Sequence, residues 1–199
     1  METKTALWSK FYARLGDVDP ANPANNFVVS KAMSPGEYAV RAADIVAHLK
    51  PGDTVLEVGC GYGGLAREIL KLVDVSYTVV DNTEMLIQVA RTLGGGVTYV
   101  DATEVRSLRK ENFTMFISHF CLSETPQQYR EYVLRYIVKN CHNISIFDYA
   151  DDIEPTAAMI GVGLNVLPAV VERYINKYFD VVKTPYRYNR FHFTGTRIK

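Results

Sequence analysis

Cysteine is scarce: three in 199 residues, with no CxxC pair. Cys60, Cys121 and Cys141 are an odd number at wide spacings, with no histidine placed to complete a zinc site, which excludes a disulfide scaffold and points to reduced thiols. A nucleophilic role for Cys121 is the functional alternative. An excess of either charge is also missing, since 22 Lys and Arg balance 22 Asp and Glu. The basic footprint of phosphate-backbone binding is therefore lacking, and nucleic acid is not expected as the main partner. Long apolar runs are absent too. The longest, such as 157–162, fall far short of the ~20 residues needed to cross a bilayer. The opening METKTALWSKFYARLGD mixes acidic and polar residues with apolar ones and shows no small-residue cleavage site, so a cytoplasmic location is expected. No internal repeat or low-complexity stretch is found. What is present, 48% hydrophobic and 22% charged residues, suffices for one domain with a real core.

From about residue 53 to 150, short apolar runs alternate with helix-period segments, the pattern of a parallel sheet with crossover helices. Strands are expected at 54–58, 77–80, 97–100, 113–118 and 144–148, rich in Val, Ile, Thr and Phe. Helices are expected at 64–73, 83–93 and 126–140, with Asn82 or Thr83 capping the second and Thr125 capping the third ahead of Pro126. Beyond Asp151, residues 155–179 read as helix interrupted by Gly161, Gly163 and Pro168. Residues 181–188 and 191–198 then alternate around Asn189-Arg190 as an antiparallel pair. Residues 1–50 hold a helix at 7–15, the connector DPANPANN and a helix at 36–49 ended by Pro51-Gly52. This stretch is too small for its own core, so it is expected as a helical cap on the ligand edge of a single domain whose core is 51–199.

The most informative segment is VLEVGCGYGGL, residues 55–65, where a buried strand runs into a glycine-rich turn and then a helix. Glycines there let the backbone approach a ligand closely. Gly59, Gly61 and Gly64 satisfy the GxGxxG of nicotinamide and flavin binders; Gly59, Gly61 and Gly63 satisfy the GxGxG of S-adenosylmethionine (SAM) binders. Glu57 favours the second. A carboxylate beside the loop suits a ligand carrying an ammonium and a sulfonium and repels a pyrophosphate. Asp81 closes the second strand, where an acid can accept both ribose hydroxyls, with Asn82 beside it. Asp101, followed by Ala102, closes the third, where SAM-binding domains commonly hold the adenine edge. The alternative is that these acids only cap turns and helices.

On these residues the chain resembles the class I SAM-dependent methyltransferases, from Glu57 to the C-terminal pair. The resemblance implies a Rossmann-like α/β fold, a seven-stranded mostly parallel sheet of order 3-2-1-4-5-7-6 flanked by helices. EVGCGYGGLAREIL and FISHFCLSETPQQYREYVLRYI are similar to two blocks of the sugar O-methyltransferase family, with an aromatic, here Tyr62, inside the glycine loop. They cover under a quarter of the chain. This narrower resemblance implies a sugar or glycan acceptor and work beside glycosyltransferases. In DNTEML, Met85 falls one residue earlier than the usual family spacing, so it is not assigned to the adenine pocket.

Methyl transfer to a sugar hydroxyl needs positioning and a base or metal, because the hydroxyl pKa is high. His119, just past the fourth strand, is the expected general base. Glu124 and Asp148 are candidates to orient its ring, with Asp148 the alternative base; for Glu124 the plainer role is to complement the following helix N-terminus. Asp148, Asp151 and Asp152 would be the carboxylates of a metal-assisted route, but Ser118-His119 stands where metal-dependent O-methyltransferases resemble one another in carrying an acid, so no metal is expected. Phe120 is expected against the cofactor. Trp8, Tyr12, Tyr149 and Tyr186 are expected to offer flat faces to the acceptor, although aromatics at such positions are more often core. YRYNR, residues 186–190, suits either a phosphate on the acceptor or plain solvation. A non-sugar acceptor, a catalytically silent SAM-binding subunit and a nicotinamide oxidoreductase remain as alternatives; no NPPY-like run points to amide or base N-methylation.

Overall fold

The computed structural model describes residues 35–122, 125–149, 168–186 and 190–198. Helix α1 (Pro35–Val46) precedes strand β1 (Thr54–Val58), which feeds the glycine turn and helix α2 (Gly64–Leu72). Strand β2 (Ser76–Asp81), helix α3 (Thr83–Leu93) and strand β3 (Val97–Asp101) follow, then a 3-10 helix over Ala102–Lys110 and strand β4 (Phe113–His119). Helix α4 (Gln127–Tyr132) leads to β5 (Cys141–Tyr149); helix α5 (Pro168–Ile175) leads to the pair β6 (Phe179–Tyr186) and β7 (Arg190–Arg197). The strands form one sheet in the order β3-β2-β1-β4-β5-β7-β6. β7 runs antiparallel to both β5 and β6, and the other pairings are parallel. This is the Rossmann-like order that the resemblance implies.

Central strands buried on both faces read as continuous apolar runs, which is why β1 and β4 were visible in the sequence. One face carries Leu56, Val58, Val80, Phe116, Ile144, Ile146, Phe191 and Phe193, packed with the α4 and α5 side. The other carries Val55, Tyr77, Val79, Met115 and Ile117, packed with α1, α2 and α3. Each large side chain taken fully out of water contributes roughly 1.5–3 kcal/mol, against about 1 kcal/mol for a typical hydrogen bond. These two layers fix the strand ends on which the site is built.

Asn82 caps α3 as expected, its side chain accepting from the Met85 N–H at 3.0 Å. Thr125 does not cap α4: its hydroxyl donates to the Leu122 carbonyl at 3.0 Å, and Pro126 takes the cap position. The helix expected over 126–140 is not uniform. It passes from α to a π turn at Val133–Ile137 and a 3-10 turn at Val138–Asn140, keeping Val133, Leu134, Ile137 and Val138 all buried. The 3-10 helix at Ala102–Lys110 has no counterpart in the expected elements. Asp101 nucleates it by accepting from the Thr103 N–H at 2.8 Å.

Candidate active site

Gly59, Gly61 and Gly63 all have left-handed backbones, with φ of 82°, 53° and 73°. The turn leaves β1 and crosses to β2, where the Gly59 N–H donates to the Val80 carbonyl at 2.8 Å. A Cβ on Gly59 would lie 2.2 Å from Cβ of Cys121. Gly59→Ala is therefore expected to destabilise the fold by roughly 2–5 kcal/mol, combining left-handed strain with overpacking against Cys121. A denaturation midpoint unchanged by the substitution would contradict this packing. Tyr62, inside the loop, is buried at 4% exposure.

Glu57 is 2% exposed and accepts from the Tyr77 hydroxyl at 2.9 Å. Burial pushes its carboxyl up to about 8; the Tyr77 bond opposes the rise and the Asp81 charge adds to it. Asp81 spans the glycine turn and the α3 cap. One carboxylate oxygen accepts from the Gly61 N–H at 3.1 Å, the other from the Asn82 N–H at 2.8 Å and its side-chain amide at 3.2 Å. Burial pushes it up to about 6, against the pull of the Asn82 and Gly61 N–H groups. Asp101 holds Thr103 through both its N–H and hydroxyl, and Thr83 through its hydroxyl, bonds that lower its pKa. Ala102 begins the 3-10 helix and packs at the margin of the core. Glu57, Asp81 and Asp101 thus occupy three neighbouring strands toward their C-terminal ends. Asp101 is already engaged as a helix cap.

His119 ends β4 at 8% exposure. Its Nε2 lies 3.1 Å from the Ser145 hydroxyl, which is in turn 3.0 Å from Nε2 of His192. The other ring nitrogen, Nδ1, is buried without a hydrogen-bond partner among the described residues. Burial first, then the charges of Arg41 and His192, hold the imidazole well below its ordinary 6.5, so the ring is neutral near pH 7. Phe120 follows with φ 56°, the one non-glycine residue with positive φ among the described residues. That conformation is sparsely populated and costs about 1–3 kcal/mol. It turns the Phe120 ring edge-on to Phe147 at 4.8 Å, while its N–H donates to the Phe147 carbonyl at 2.7 Å. From α1, the Arg41 guanidinium lies 3.4 Å over the Phe147 ring and Tyr38 packs on the same pair.

The sheet register separates two residues expected to act together. His119 pairs with Phe147, which pairs with His192, so these three side chains share one face with Ser145 two residues along β5. Asp148, next to Phe147, points to the opposite face, where it is fully buried and its charge is felt by Arg130 of α4. Asp148 therefore does not orient His119; alternation along β5 forbids it. The side chain that meets the His119 ring from β5 is Ser145. Glu124, Trp8, Tyr12, Asp151, Asp152 and Tyr188 lie outside the described residues, as do the side chains of Tyr149 and Tyr186, whose backbones end β5 and β6. Sequence reasoning missed Tyr38, Arg41, Tyr77, Ser145 and His192, because each reaches the site through register or helix packing rather than through a local motif. The one available signal was alternation: His192 sits between Phe191 and Phe193, which marks it as facing away from their layer.

No curated protein matches the chain in sequence. Among solved structures, magnesium protoporphyrin IX methyltransferase from Synechocystis PCC 6803, with bound S-adenosylhomocysteine, aligns with a TM-score of 0.65 at 16% identity, covering 96% of this chain and 93% of that one. An O-methyltransferase family protein from Burkholderia thailandensis aligns with a TM-score of 0.64 at 13% identity, over 96% of this chain and 68% of its own. A structure of a complex with the Haloferax volcanii Trm112 methyltransferase activator aligns at 0.64 and 12% identity, over 82% and 98%. At such identities the likeness is one of fold. Residues 55–143, from β1 through the glycine turn and His119 into β5, match the family model of a methyltransferase domain, and the strand order is that of the Rossmann-like methyltransferase fold.

Proposed function

We propose that the chain is a SAM-dependent O-methyltransferase acting on a hydroxyl of a sugar or glycan. The observation that carries the hydroxyl acceptor is His119, a neutral imidazole at the β4 end whose Nδ1 has no partner among the described residues. The cofactor fits the residues present: Glu57 and Asp81 offer carboxyl groups to a cationic ligand, and the left-handed glycine turn offers bare backbone. When bound, SAM supplies an electrophilic methyl whose carbon bonds to the acceptor oxygen as the carbon–sulfur bond breaks, leaving the hydroxyl proton to be removed. Nδ1 of His119 takes that proton. The acceptor oxygen becomes strongly acidic as its new bond forms, so a weakly basic imidazole suffices late in the step. An amine acceptor, with a lone pair available once neutral, has less need of such a base. The sugar acceptor is supported by the resemblance of the two sequence blocks. Incubating the full chain with SAM and a panel of sugar glycosides, phenols and amines should give a gain of about 14 Da on glycosides alone, the mass of one methylene; gain on amines alone would overturn the hydroxyl acceptor.

Glu57 adds a linkage that binding reads directly. With its carboxyl raised to about 8, the ligand-free site is mostly protonated there at pH 7. A cationic cofactor favours the ionised form, so binding releases a proton, and affinity should rise by up to about tenfold per pH unit until near pH 8. Calorimetry in two buffers of different ionisation enthalpy measures the release. Zero protons released at pH 7 would remove Glu57 from the cation site.

A further inference from the structure

We infer that Ser145 and His192 are positioning residues for His119, holding its ring as the Nε2–H tautomer so that the Nδ1 lone pair is the nitrogen left to accept a proton. The inference deepens the hydroxyl-methylation reading and rests on it for the use of that lone pair. Ser145 Oγ lies between two imidazole nitrogens, 3.1 Å from His119 and 3.0 Å from His192. A serine hydroxyl has a single hydrogen and two lone pairs, so it donates to at most one ring; where it accepts from both, His119 is already the Nε2–H tautomer. Two arrangements remain in which it donates to a ring. If Ser145 donated to His119, the His119 proton would sit on Nδ1, a buried N–H with no acceptor among the described residues. Orphaned buried N–H groups are rarer than under-satisfied acceptors. If Ser145 instead donates to His192, His119 Nε2–H donates to Ser145, and the unpartnered atom is a lone pair. His192 then carries its proton on Nδ1, and it is the more exposed ring of the two.

Both rings must be neutral for this chain of bonds to hold, and the surroundings make them so. Arg41 of α1 and His192 of β7 are the groups whose charges reach His119, and burial acts in the same direction on both rings, lowering His192 to about 4. Tyr38 of α1 packs on Phe120 and Phe147 beside them. Phe147 walls the pair, with ring centroids 5.8 Å from His119 and 5.7 Å from His192. When His119 takes the acceptor's proton at Nδ1 it becomes an imidazolium, and Ser145 Oγ receives its Nε2–H in a charge-assisted bond that the neutral ring lacks. The serine and second histidine thus fill the orienting place that a carboxylate fills in other base arrangements.

Long-range proton–nitrogen spectra of the ligand-free protein, with 15N-labelled histidine at pH 7.5, test this without substrate. Wild type should show His119 protonated at Nε2 and bare at Nδ1. Ser145→Ala and His192→Phe should each give mixed tautomers, and Ser145→Thr should restore one. In turnover, Ser145→Ala should lower kcat by about 10- to 100-fold with unchanged SAM affinity. An Nδ1–H tautomer in wild type, or one insensitive to both substitutions, overturns the inference, and the wild-type spectrum decides even if a variant does not fold. The Nε2–H tautomer found in a protein that methylates no hydroxyl would instead overturn the hydroxyl reading while supporting the positioning pair.

Discussion

Replacing His119 with alanine is expected to lower turnover by about 10²- to 10⁴-fold, the usual contribution of a positioned general base, with SAM affinity nearly intact. Phenylalanine at the same position is the control for packing, since it fills the space beside Phe147 without a basic nitrogen. Both substitutions should cost similar activity if proton removal is the role. The pH profile sharpens the test. From sequence alone the acid limb is expected near pH ~6 to 7.5; the burial of His119 beside Arg41 and His192 moves it lower. The sign follows from the base being active when neutral: the rate is flat above the lowered pKa and falls as pH drops through it. An alanine variant with near-normal turnover, or one whose lost activity tracks lost SAM binding, would make His119 a packing or cofactor residue.

Asp81→Ala should weaken SAM binding by about 1–3 kcal/mol, or roughly 5- to 150-fold in Kd. Two contributions meet in this carboxylate. It ties Gly61 to Asn82, and on the proposed reading it also accepts the ribose hydroxyls, so the glycine turn would lose its brace along with the ligand its acceptor. Asparagine should not rescue binding, because its NH₂ would face either the Gly61 or the Asn82 N–H, donor against donor. Affinity should also fall as pH drops through about 6, where the ligand-free carboxyl gains its proton. A variant with a lower melting midpoint and unchanged affinity would leave Asp81 as a brace alone.

The parts of the site that lie on one continuous stretch of chain were legible in the sequence. The glycine turn combines a strand signal, a helix signal and residues tolerant of left-handed φ within eleven positions, and Asp81 and Asp101 each close a strand. The parts that depend on pairing were not legible. Nothing local says that His192 stands across from Phe147, or that Ser145 rather than Asp148 shares a face with His119; the antiparallel β5–β7 register decides the first and the parallel β4–β5 register the second. Asp148 was attractive because it closes a strand beside the site, yet a shift of one residue in a strand reverses the face. Arg41 and Tyr38 were hidden for a different reason. Helix α1 was visible, but the face it lays on Phe147 follows from packing against α2 and the sheet.

The most direct test of the central claim is calorimetric titration of the full chain with SAM and, in parallel, with NADH. Micromolar binding of SAM, with proton release at pH 7 and no binding of NADH, is the predicted result. Micromolar binding of NADH with none for SAM would contradict the account, because the acids beside the glycine turn would then be receiving a pyrophosphate rather than a cation.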